Sequence, residues 1–331
     1  MHISKVLVAA AMATAAVGVI AGCSGSGSSS LSSVVPSSHG VRQAASIHDS
    51  GVAPKYLESI RFGGGLPAVR PNSGGKTLAV SDAGTNTVDL FNGSYVQTGT
   101  ISNGLSGPDG EWFDQAGNLY VGNFGGTFVQ EYAPGGSSPS FNYTTSLTDP
   151  INETTDEAGN VYVDDYQGDQ VVEFAQASNT PLHACSVAGA PEGIAVGEHG
   201  KVFVSLNFTA GGAGIVEFPA GLSSCGNEVT LISSLGFAGG LQLDSHNNLV
   251  ACDQLVGVDI IKKPNYNSIS STITGASDSF HVALNKYSTL VFIADPANFD
   301  VLVDKYPSGT PVTTITGFST PYGVATKPFQ H

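Results

Sequence analysis

Basic charge is scarce in this chain. Of 331 residues only 12 are Lys or Arg, against 27 Asp or Glu, and the formal net charge is −15. No basic patch exists to replace phosphate counterions, so a nucleic-acid partner is excluded. Charged residues of both signs make up only 12% of the chain. Cysteine is limited to four, and no Cys-x-x-Cys or His-x-x-x-His spacing marks a metal centre. The apolar stretch Val6–Ala21 is too short for a comfortable membrane span. Glycine, by contrast, reaches 42 residues. Together with short Val, Ile, Tyr and Phe runs it favours an all-β protein.

A repeat organises the chain. In Pro108–Phe124 a strand, a tight turn and a second strand follow one another, and eleven residues separate Pro108 from Leu119. The same interval joins Pro150 to Val161, Pro191 to Val202, Ala238 to Leu249, Ser279 to Leu290 and Pro67 to Leu78. Pro321 opens a further copy, so successive starts are spaced by 41, 42, 41, 47, 41 and 42 residues. Four short strands fit each interval, which describes a six-bladed β-propeller of four-stranded blades. The extra residues of the fourth repeat fall at 206–214, read as a Gly/Ala-rich bulge, and in the connection that follows. The first repeat lacks a good first strand because Pro71 cannot donate to a ladder. Pro321–Thr326 supplies one, so the C-terminal strand is expected to close the ring.

Residues 1–22 read as a targeting segment, with Lys5 before the apolar stretch. Ile20-Ala21-Gly22-Cys23 resembles the lipobox of bacterial lipoproteins. That resemblance implies an acylated Cys23 at the mature N-terminus and a cell-envelope protein anchored to the membrane. An ordinary secretory signal with a chance cysteine is the plain alternative. Residues 23–54 then comprise the lipidated cysteine and a Ser/Gly-rich linker, whose coil of about 31 residues reaches roughly 30 Å. The propeller is assigned to residues 55–331. Export would permit a Cys185–Cys225 bridge, although the two do not occupy equivalent repeat positions. Cys252 reads as a small buried hydrophobe.

The pattern Pro-x-Gly-x-Ala-x-Asp-x-x-Gly-Asn-Leu-Tyr-Val-x-Asn/Asp resembles the NHL-type repeat. It fits best at 108–123, 150–165 and 191–205, and the chain is similar to uncharacterised exported bacterial propellers. NHL-like propellers include lyases, lactonases and binding modules, so the resemblance is specific for fold and weak for activity.

The candidate site lies on the first strands. Residues one and two after each start, Asp109, Asn152, Glu192, His281 and Tyr322, are expected at the channel mouth as ligand contacts. Three residues after the start stand Glu111, Glu153, Ile194, Leu241, Val282 and Val324. The two Glu residues, on adjacent blades, are expected either to line a wet channel or to share a Ca2+ or Mg2+ ion, with Asn152 adding neutral oxygen. The reading that follows is a binding scaffold for a protein, glycan or small molecule, with no certain cofactor. The alternative is a metal-dependent lactonase or lyase using the channel carboxylates. The acidic residues ending the second strands, such as Asp82 and Asp165, read as turn caps rather than ligands.

Overall fold

The structure, a computed structural model, describes residues 77–327. The expected leader, Cys23, the linker and the Pro67 copy lie outside the described residues. Twenty-four strands form six antiparallel four-stranded sheets, with no α-helix among the described residues. In blade 1, β24 (Pro321–Lys327) is innermost, followed by β1 (Thr77–Asp82), β2 (Thr87–Phe91) and β3 (Gln97–Ile101). The other blades run outward in chain order. Their innermost strands are β4 (Pro108–Phe113), β8 (Pro150–Thr155), β12 (Gly189–Val196), β16 (Ala238–Leu243) and β20 (His281–Leu284). Their second strands are β5 (Leu119–Asn123), β9 (Val161–Asp165), β13 (Val202–Phe208), β17 (Leu249–Asp253) and β21 (Leu290–Asp295).

Burial explains the composition of the strands. A sheet covered on both faces needs a near-continuous apolar run, and Leu119-Tyr-Val-Gly-Asn123 is buried throughout. The outermost strand of blade 6, Thr310–Thr316, keeps only Ile315 buried. The core is therefore a set of wedges between neighbouring blades. Phe113, Leu119 and Val121 of blade 2 pack on Ala79, Val88 and Ala325 of blade 1, and Val250, Cys252 and Val258 of blade 5 pack on Val282 and Ile293 of blade 6.

Two recurrent clasps shape the blades. Between first and second strands, Asp114 Oδ1 accepts the Asn118 amide at 2.7 Å while Gly117 adopts φ 87°. Asp156 and Asn160 repeat this at 2.8 Å around Gly159, φ 85°, a backbone region where glycine carries no Cβ penalty. At the other end, Asp82 accepts the amides of Ser319 and Thr320 at 2.8 and 2.7 Å, and Asp165 accepts those of Thr148 and Asp149 at 3.0 and 2.6 Å. These carboxylates are caps, and each fastens the segment that leads into the innermost strand of its own blade.

One expectation needs correction. Residues 206–214 are not a bulge: Leu206 pairs with Gly214 and Asn207 with Ala213, so the insertion lengthens the hairpin of β13 and β14 (Ala213–Phe218). In-register extension keeps backbone groups paired, which a bulge would not. Cys185 and Cys225 form a disulfide, with Cα atoms 5.2 Å apart. It joins β11 (Pro181–Ser186), the outer strand of blade 3, to the loop between β14 and β15 (Val229–Leu235) of blade 4. A cross-link spanning 40 residues contributes about 4 kcal/mol in the loop-entropy model.

The ring closes as expected. β24 pairs with β1 from Thr77–Lys327 through Val80–Val324 to Asp82–Pro321. Tyr322 and Val324 are buried there, which is worth about 1.5–3 kcal/mol per side chain. Deleting residues 320–331 should lower the melting temperature by roughly 10 °C or more, while deleting 24–50 leaves it unchanged. Differential scanning calorimetry of the two truncations checks this.

Candidate functional site

A strand projects its side chains alternately above and below its sheet. In a radial blade those directions point at the two flanking blades and not at the axis. The second residue after each start reaches the following blade: His281 Nδ1 accepts the Val324 amide at 3.2 Å, and Asn152 Nδ2 donates to the Glu192 carbonyl at 2.6 Å while its Oδ1 turns back to Gly110 of the preceding blade. In the other blades this position is Gly110, Gly193, Gly240 and Gly323. A Cβ there would collide with the neighbouring inner strand, meeting Leu241 N at 2.6 Å from Gly193. The third residue faces the preceding blade.

Glu111 and Glu153 follow that rule, which corrects the expectation of a shared channel volume. The Glu111 carboxylate fills the space beside Gly323 of blade 1. Its Oε1 accepts the Ser81 amide at 3.0 Å and its Oε2 the Ser81 hydroxyl. Glu153 lies one interface further on, against Gly122 of blade 2. Glu111 is 1% and Glu153 4% exposed, so neither lines open water. Burial pushes Glu111 up to about 8, partly offset by the two bonds from Ser81. Glu153 is raised well above the usual carboxylate range by burial, then by the nearby charges of Glu111, Asp164 and Asp109.

Sequence reasoning missed Asp164. It is buried, accepts the Asn152 amide at 2.7 Å, and is held protonated above its ordinary range by burial. The available signal was the Asp164-Asp165 doublet, because the equivalent positions in other blades are Ser81, Gly122, Ser205, Cys252 and Ala294.

At the strand starts, Phe280 and Tyr322 stack with centroids 4.6 Å apart, and Phe124 leans on Tyr322 at 5.6 Å. Glu192 Oε1 accepts Asn207 Nδ2 at 3.0 Å. The mouth is thus aromatic over blades 6, 1 and 2 and polar over blades 2 to 4, where Asp109, Asn152 and Glu192 stand. His281 is buried, and burial depresses it to about 4. Its Nδ1 receives an amide proton, so the neutral ring carries its own proton on Nε2. At the opposite end, the turns holding Glu157, His199, Asn247 and Lys286 line a hollow of about 760 Å³.

This architecture is that of a six-bladed β-propeller. The chain is similar to a chain in the crystal structure of a nidogen/laminin complex, at 15% identity and TM-score 0.65, covering 78% of this chain and 100% of that one. No protein-family model matches the sequence, and no curated protein does. In all, 1137 chains of solved structures match, so the likeness carries the fold and leaves the chemistry to the side chains.

A carboxyl whose pKa is raised on folding stabilises the protein below its unfolded pKa, near 4.5 here, and that contribution is lost as pH rises through the folded value. With Glu111 at about 8, stability should fall between about pH 5 and pH 9, by an amount on the order of 5 kcal/mol. Glu111→Gln keeps an acceptor for the Ser81 amide and removes the titration. Urea denaturation with EDTA present should show the variant flatter with pH and more stable than the wild type at about pH 9.

Proposed function

We propose that this protein is a cell-envelope lipoprotein of the NHL-repeat kind whose propeller is a scaffold for a protein partner. Residues 1–22 act as the leader, Cys23 as the acylated anchor and residues 24–54 as the stalk. The Cys185–Cys225 disulfide supports export, since such bonds persist in oxidising compartments.

The observation that carries the binding reading is the two-sided mouth. Phe124, half-buried, continues outward an aromatic cluster with Phe280 and Tyr322 that stands beside the buried Asp109 and Glu192 on a rigid ring, and aromatic side chains are enriched at protein interfaces. On the same face, Leu255 and Val256 at the tip of the β17–β18 (Gly257–Ile261) hairpin are 53% and 52% exposed. The likeness to a chain within a protein–protein complex is consistent with this use. A lactonase or lyase would need its acid, base and metal ligands to face one reacting atom. Glu111, Glu153 and His281 face three different blade interfaces, so the scaffold reading is preferred.

The anchor is tested by Cys23→Ser, which should move the protein from the membrane to the soluble fraction. An unmodified N-terminus on membrane-bound wild type would refute it. For the face, a photo-crosslinker placed at Val256 in cells should trap a discrete protein adduct. The same group at Val312, exposed on the outer strand of blade 6, should not. Equal trapping at both positions would reject the mouth face as the interface.

A further inference from the structure

We propose that blades 2 and 3 hold one calcium ion between their inner strands, on the Glu153 carboxylate, Asn152 Oδ1 and the Ile151 carbonyl oxygen. The first observation is a bare patch of backbone. Gly110 on β4 and Gly122 on β5 are near neighbours across the ladder, between the Pro108–Asn123 and Glu111–Val121 pairs. Oxygens of blade 3 converge on that patch. A Cβ on Gly110 would overlap Asn152 Oδ1 and meet Ile151 O at 2.7 Å. A Cβ on Gly122 would meet the same Ile151 O at 2.6 Å and Glu153 Oε2 at 3.1 Å.

The second observation is that these side-chain oxygens lack donors. Glu153 Oε1, Glu153 Oε2 and Asn152 Oδ1 are all buried without a hydrogen-bond partner, although the Asn152 amide nitrogen on the same side chain is bonded. The Gly122 amide favours the charged form of Glu153 only weakly and does not reach hydrogen-bond geometry. Leaving a buried acceptor unsatisfied costs about 1–3 kcal/mol, and more when it is charged. One proton on Glu153 can serve one neighbouring acceptor. A cation serves all of them together.

The donor set selects the ion. It is oxygen only, with one carboxylate and two neutral oxygens, which suits a hard cation and disfavours zinc. Calcium tolerates irregular geometry at about 2.3–2.6 Å and completes its shell with water, whereas magnesium demands a near-ideal octahedron. Among the described residues no three His, Cys, Asp or Glu side chains form a metal centre. The site is therefore a weak one, with a Kd on the order of 10⁻⁴–10⁻³ M as in extracellular calcium modules.

The surroundings of Glu153 are acidic: Glu111 and Asp109 from β4 and Asp164 from β9 act on it electrostatically, and β5 presents only Gly122 on that side. A divalent cation offsets that concentration of negative charge.

The test is calorimetric titration of the purified protein with CaCl2, with a parallel melt. Wild type should bind one ion and melt roughly 3 °C or more higher in about 10 mM CaCl2 than in NaCl of equal ionic strength. Glu153→Gln, a neutral isostere, should fold and lose both responses, while Glu157→Gln on the opposite face keeps them. If Glu153→Gln fails to fold, Asn152→Ser carries the same comparison, and affinity several-fold weaker is expected. No calcium-specific response in wild type, or a full response in Glu153→Gln or Asn152→Ser, overturns the site.

Discussion

Pairing of β24 with β1 is the contact on which the rest of the molecule depends. It joins residues about 250 apart in the chain, a loop whose closure costs on the order of 5 kcal/mol beyond its constant term. What offsets that cost is the ladder itself and the wedges on either side of blade 1. Val80 and Val324 pack toward blade 6, Ala79 and Ala325 toward blade 2. An unclosed blade 1 would expose the edge of β1 and open both wedges. The mouth depends on the same event. Tyr322, the Val324 amide bonded to His281, and the Gly323 gap that admits Glu111 all belong to β24.

Around the axis the limiting quantity is space. Four of the six blades carry glycine two residues after the start, because the neighbouring inner strand lies within a Cβ radius. The two exceptions, Asn152 and His281, are polar, and each bonds a backbone group of the next blade. Buried acids one residue further on disturb this economy. Glu111 is compensated by Ser81, whereas the Glu153 oxygens are buried without a hydrogen-bond partner. A carboxyl in that position must carry a proton or meet a cation.

The propeller was legible because its signals are local and recurrent. The spacing of starts recurs around the ring, a strand-ending Asp or Asn in most blades and the Gly-Asn turn in two, so an error in one copy is corrected by the others. The missing first strand was inferred from Pro71 and Pro321, and the ladder confirms it. The site was less legible. Position along the strand placed Glu111 and Glu153 in one register correctly. It did not say that the register faces a neighbouring blade, because period-two alternation defines two sides and not which side meets the axis. Asp164 was signalled only by a doublet inside one repeat, where a strand-ending acid masks its neighbour; the Phe280–Tyr322 stack arises from contact between repeats, and no single repeat encodes it. The same holds for the disulfide, whose cysteines look mismatched until the blade 4 loop is seen to lean on the outer strand of blade 3.

That disulfide has a consequence for survival among proteases. The β13–β14 hairpin ends in Gly211 and Gly212, both with positive φ and open space around them, the sort of exposed tip where nicking concentrates. The tip lies within the span between Cys185 and Cys225. A cut there yields two polypeptides that stay covalently joined across blades 3 and 4. They are also held on the far side of the ring, where β24 of the second piece lies against β1 of the first. The scission breaks one hairpin and releases nothing, so the ring survives as a two-chain body until a reductant arrives.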